Sequence, residues 1–86
     1  MEDLTADSFR PHLHEQFWLD SHPVELVEVT ELPGEPGPRV PFSLVFEGGP
    51  SPPLPQRIYS VEHPEIGALD IFLVPIAADR YEAVFT

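Results

Sequence analysis

The chain contains no cysteine and no lysine, and only one methionine and one tryptophan. Without cysteine no disulfide can brace the fold, and no thiolate can serve as nucleophile or metal ligand. That fits a reducing compartment. The lack of lysine excludes Schiff-base chemistry and the lysine-dependent phosphate loop. The cationic side chains are Arg10, Arg39, Arg57 and Arg80. No apolar run approaches the ~20 residues that span a bilayer. The acidic start, Met1-Glu2-Asp3-Leu4, lacks the basic-then-apolar layout of a signal peptide. A soluble, cytoplasmic protein is therefore expected. Positive charge is scarce: fifteen acidic residues stand against four basic ones, a formal net charge of −11. Such a surface repels phosphates and anionic membranes, so neither nucleic acid nor membrane is expected as a partner.

What is present reads as one domain, residues 1–86, near the lower size limit for a self-sufficient core. Eight of the twelve prolines gather in two loops, "PGEPGPRVP" at Pro33–Pro41 and "GGPSPPLP" at Gly48–Pro55. Thr5-Ala6-Asp7-Ser8-Phe9 predicts a short helix, with Thr5 as cap and Asp7 at the positive end of the dipole. Phe9 and Leu13 would share its inner face, and Pro11 ends it. "EQFWLD", Glu15 to Asp20, alternates as a strand, and "SHP", Ser21 to Pro23, reads as a tight turn.

Val24 to Leu32 is a strand whose parity slips, and a β-bulge near Leu26 and Val27 would bring both halves to the core. Phe42, Leu44 and Phe46 alternate with Ser43, Val45 and Glu47, the pattern of a half-buried strand. Tyr59 and Val61, then Leu69, Ile71 and Leu73, define the inner faces of two further strands. Between them Pro64 and Gly67 predict a hairpin connection. Pro75 should end the second of these strands. In "RYEAVFT", Tyr81, Ala83 and Phe85 face inward. Phe72 and Val74 leave the other face apolar as well, with the N-terminal helix as the nearest cover. The expected fold is mainly β: about six strands, mostly antiparallel, bent or closed into a small barrel, with one short N-terminal helix.

The blocks "LTADSFRPHLHEQF", "PFSLVFEG", "LPQRIYSVEHPEIGALDIFLVPI" and "RYEAVF" resemble a family of small bacterial proteins of unknown function. The resemblance covers most of the chain. Its members are often encoded beside proteins similar to phage tail collar, or microcystin-dependent, proteins. The resemblance thus implies a part or helper of a tail-like assembly, and it carries no catalytic residues to transfer.

Several clusters invite chemistry. His12-x-His14 with a nearby carboxylate has two of the donors a zinc site needs, but ordinary surface histidines are the preferred reading of the pair. Glu62-His63 beside Asp70 could form an acid–base pair, yet no nucleophile accompanies it, and Ser60 is an alternating strand residue. His63 reads most simply as a turn residue. "PPLPQR", Pro52 to Arg57, matches a ligand for polyproline-binding grooves, although loop stiffening is the plainer role. Trp18 alternates with Phe17 and Leu19 and so lies opposite them, partly exposed, which makes it the candidate protein-binding residue.

No catalytic residue, metal or cofactor is expected. The expected function is a non-enzymatic interaction or assembly module, binding another protein or itself through a sheet edge or the surface near Trp18. The alternatives are an acidic nucleic-acid mimic displaying Glu25, Glu28, Glu31, Glu47 and Glu62 on one face, or a metal protein or hydrolase using His12, His14 or His63.

Overall fold

The computed structural model describes residues 4–33, 40–50 and 54–85. Its six strands close into an antiparallel barrel in the order β1-β2-β3-β6-β5-β4. In chain order these are β1 Gln16–Leu19, β2 His22–Glu31, β3 Phe42–Gly48, β4 Arg57–His63, β5 Gly67–Ala77 and β6 Arg80–Phe85. A short helix, α1 (Ala6–Phe9), runs directly into one 3-10 turn at Arg10–His12. Ser8 Oγ accepts the Thr5 N–H at 3.0 Å, which satisfies one of the free donors at the helix start. Pro11 fits the 3-10 turn near its start, where no N–H is needed.

Side-chain alternation builds the core as the pattern predicts. Phe42, Leu44, Phe46, Tyr59, Val61, Ile71, Leu73, Tyr81 and Ala83 are buried, with Leu69 and Phe85 half-buried against them. The β4–β5 hairpin pairs Tyr59 with Ile71 and His63 with Gly67, and Gly67 takes the positive φ of 94° that its position requires. The slipped parity in β2 is a true irregularity, since the register with β3 shifts between Leu26 and Glu28. Val24 and Leu26 are buried on one side of it and Val29 packs against the core on the other.

The barrel is closed by its shortest strand. β1 pairs with β2 through the whole of Gln16–Leu19, and with β4 through Trp18–Glu62 and Leu19–Val61. Asp20 extends this second ladder. Its N–H donates to the Ser60 carbonyl at 2.9 Å, and its Oδ1 accepts the Ser60 N–H at 2.9 Å.

Four expectations are corrected. The β1–β2 turn is Asp20-Ser21, both at positive φ (46° and 76°), so His22 and Pro23 already belong to β2. A two-residue turn of that kind matches the strand twist. β3 is buried on both faces, since Ser43 and Val45 are also covered. Its neighbours explain this, because Val45 lies between Glu28 of β2 and Glu82 of β6. Pro75 does not end β5. It sits at a register irregularity with β6 between Pro75 and Ala77, where a missing donor is tolerated. Leu13 is exposed, and Phe9 packs inward against Phe42 and Phe85, each with ring centroids 5.9 Å away. The helix therefore plugs the core and leaves the outer side of Phe72 uncovered. The loop at residues 34–39 and part of Pro52–Arg57 lie outside the described residues.

Ile71 is inward and buried on β5, directly opposite Tyr59. Ile71→Ala should therefore cost about 2–5 kcal/mol in denaturant unfolding. A loss under about half a kcal/mol, the size of an ordinary surface change, would contradict this packing.

Candidate functional site

Two places bring chemistry-bearing side chains together. The first is a polar cluster inside the barrel's seam. Glu15, just before β1, accepts hydrogen bonds at one carboxylate oxygen from His12 Nδ1 and from His63 Nε2, each at 2.8 Å. The two imidazole centroids are 4.4 Å apart, and the Phe17 ring lies 4.7 Å from that of His63.

His63 is thus not a turn residue. It ends β4, shares the inward parity of Tyr59 and Val61, and is only 7 % exposed. That parity was present in the sequence, but Pro64 and Gly67 drew attention to the turn. Glu15 was missed, and its one local signal was the His12-x-x-Glu15 spacing. The two histidines weighed as a pair separate: His14, at φ 69°, turns away and hydrogen-bonds Glu25 at 3.0 Å. Glu62 and Asp70 point to the outer face of β4 and β5, away from the buried His63 ring. The Glu62-His63-Asp70 acid–base arrangement does not form.

His12, Glu15 and His63 offer three ligand atoms within 4.8 Å of one another, the donor count of an open zinc site. The surroundings of His63 argue against that use. A metal-bound histidine donates its second ring N–H to an acceptor. Here His63 Nδ1 instead faces a donor, the Glu65 N–H, at 3.1 Å. Binding a metal through Nε2 would force the remaining proton onto Nδ1, against that amide. The array suits hydrogen bonding to the Glu15 carboxylate within the fold.

Hydrogen bonds from His12 first, and then from His63, hold the Glu15 carboxyl below the usual carboxylate range. A group whose pKa falls on folding stabilises the fold above its ordinary value, and that contribution disappears as pH drops through the lowered one. Glu15→Gln should therefore be less stable than the wild type at neutral pH, with the gap closing as denaturant midpoints are measured at increasingly acid pH. A gap that is constant with pH would contradict the assignment. Zinc added to the purified protein should leave its thermal midpoint unchanged, and a saturable rise would show that the cluster holds metal after all.

The second place is the outer face of β1, β4 and β5. Trp18 is half-buried there, as its alternation with the buried Phe17 and Leu19 predicts. It lies beside Glu62, which in turn pairs with Ala68. Trp18, Glu62, His63, Pro64, Gly67 and Ala68 line an open groove. The next row along the sheet is Ser60 beside Asp70, and the next is Ile58 beside Phe72. Ile58 is 60 % and Phe72 49 % exposed. On the neighbouring β6, Val84 is exposed as well, two residues beyond Glu82, which stands opposite Val74. Trp18 and Phe72 are offset by four residues along the strands, about 13 Å, and by two strand spacings across the sheet, about 10 Å.

Of the carboxylates weighed as a phosphate mimic, Glu31 stands opposite the inward-facing Phe42 at the end of β2, off the outward row of Glu25, Glu47 and Glu62. Glu25 and Glu47 are cross-strand partners on β2 and β3, while Glu62 lies on β4 beside Trp18. Glu47 is paired with Arg80 at 3.0 Å and Glu31 with Arg10 at 3.5 Å. No helix among the described residues is long and apolar enough to cross a membrane.

A family model described as a domain of unknown function, DUF6916, matches residues 4–85. No curated protein and no solved structure matches the chain.

Proposed function

The chain belongs to the DUF6916 family of domains of unknown function, and from its outer face we propose that it is a non-enzymatic protein-interaction module. The observation that carries this is the exposed cross-strand pair Ile58–Phe72 on the outer face. Large apolar side chains placed side by side on a sheet surface cost free energy in water, and a protein partner removes that cost. Trp18, at the far end of the same face, supplies an aromatic anchor of the kind enriched at binding hot spots.

The docking surface is a face rather than a sheet edge, because barrel closure gives every strand a neighbour on both sides for at least part of its length. Between the apolar ends lie Asp70 and Glu62, for which the described residues provide no ion-pair partner. With a net charge of −11, the face suits a partner that presents a cationic side chain between two apolar ones. The gene neighbourhood implied by the family resemblance supports a finer proposal, that the partner belongs to a phage-tail-like assembly in a bacterium.

Phe72→Asp places a charge within the exposed apolar row, and Trp18→Ala removes the anchor. Affinity capture with the wild type, followed by binding measurements on the captured protein, should show both variants weakened at least tenfold, about 1.4 kcal/mol. Phe72→Asp should keep the wild-type thermal midpoint. Unchanged affinity in the stably folded Phe72→Asp variant would place the binding surface elsewhere. Wild-type self-association abolished by Phe72→Asp would identify the partner as a second copy.

A further inference from the structure

We propose that His63 is an acid-sensitive latch on the β4–β5 turn, set by where its single proton must sit. A carboxylate has no hydrogen to give, so both rings that face Glu15 Oε1 must donate to it. His63 therefore carries its proton on Nε2, 2.8 Å from Glu15. Its Nδ1 is left bare, and it accepts the Glu65 N–H at 3.1 Å. The neutral ring is satisfied at both nitrogens.

A second proton can be added only at Nδ1. There it would meet an amide hydrogen already aimed at the same atom, and two donors cannot share a hydrogen bond. The His63–Glu65 bond must break. That bond spans the start of the turn at Pro64–Ile66, and the same turn supplies Pro64 and Gly67 to the groove beside Trp18. Acid thus releases the turn and reshapes the groove.

The groups facing His63 from each packed element are few. Glu15 approaches from the segment before β1, and His12 from the 3-10 turn. β1 contributes the uncharged Phe17. The turn contributes the Glu65 amide, and Glu62 on His63's own strand points to the outer face. The Nε2–H to Glu15 survives in either form of the ring. His12 holds Glu15 through Nδ1, so it can take a proton on Nε2 without breaking its bond. Charging His12 leaves the latch shut, and charging His63 opens it.

The latch is a property of the free protein, whereas its effect on binding rests on the outer-face reading above. Isotope-labelled protein tests it directly. Ring nitrogen shifts report the His63 tautomer, Glu65 amide exchange reports the bond, and the emission of Trp18, the sole tryptophan, reports the groove. The expected result is an Nε2–H tautomer at neutral pH. On acidification Glu65 protection should then fall roughly tenfold in step with protonation of the His63 ring, as its nitrogen shifts report it, and with the Trp18 emission. In His63→Phe the Glu65 amide should be unprotected throughout. A proton found on Nδ1 at neutral pH would overturn the latch, as would Glu65 protection that stays flat while His63 charges. If the latch opens as described but Phe72→Asp binds the partner normally, the outer-face reading fails and the latch stands.

Discussion

The barrel depends on a four-residue strand held from both ends. β1 is the only element that joins β2 to β4 among the described residues, and its direct pairing with β4 covers just Trp18 and Leu19. So short a ladder gains little by itself, and carboxylates at either end extend it. Asp20 exchanges hydrogen bonds with Ser60 and pairs with Arg57 at 3.2 Å. Glu15 reaches across to His63 at the far end of β4. Each acid uses a charge-assisted bond to tie a chain terminus of the strand to side-chain or backbone donors on its neighbour. In a domain of 86 residues, with little surplus core, such ties decide whether the sheet closes.

This seam accounts for the residues that look most like chemistry. Two histidines and a glutamate converge because the strand end, the 3-10 turn and the hairpin all meet there. The contacts of the buried His63 ring are those of a satisfied side chain, with a partner at each nitrogen. Closure has a second effect. With the sheet's neighbours paired around the ring, no long free edge remains among the described strands, and the proposed interaction rests on the exposed apolar side chains of the outer face.

Much of the fold was legible from alternation. The inward sets of β3, β4, β5 and β6 could be read directly, and the slip at Leu26-Val27 announced the bulge because two apolar parities in one strand cannot otherwise reach one core. Trp18 could be placed opposite Phe17 and Leu19 by the same rule. Closure itself was not legible, because pairing β1 with β4 is a contact across some forty residues and local pattern carries no record of it. Burial of Ser43 and Val45 depends on which strands flank β3, which is again non-local. Pro75 misled because a bulge, invisible in sequence, removes the need for its missing donor. The helix was expected over Phe72, but Phe9 found the aromatic pair Phe42 and Phe85, stacked 4.6 Å apart, on the inner face of the sheet.

Native-state hydrogen exchange of the wild-type protein at neutral pH tests the closing role of β1 most directly. If β1 closes the barrel cooperatively, the hydrogen-bonded amides of Asp20 and Ser60 will exchange with the same opening free energy as those of β3 around Leu44 and Phe46, through global unfolding. Seam amides that exchange far faster while β3 remains protected would mean that β1 frays independently, and that the barrel does not depend on it.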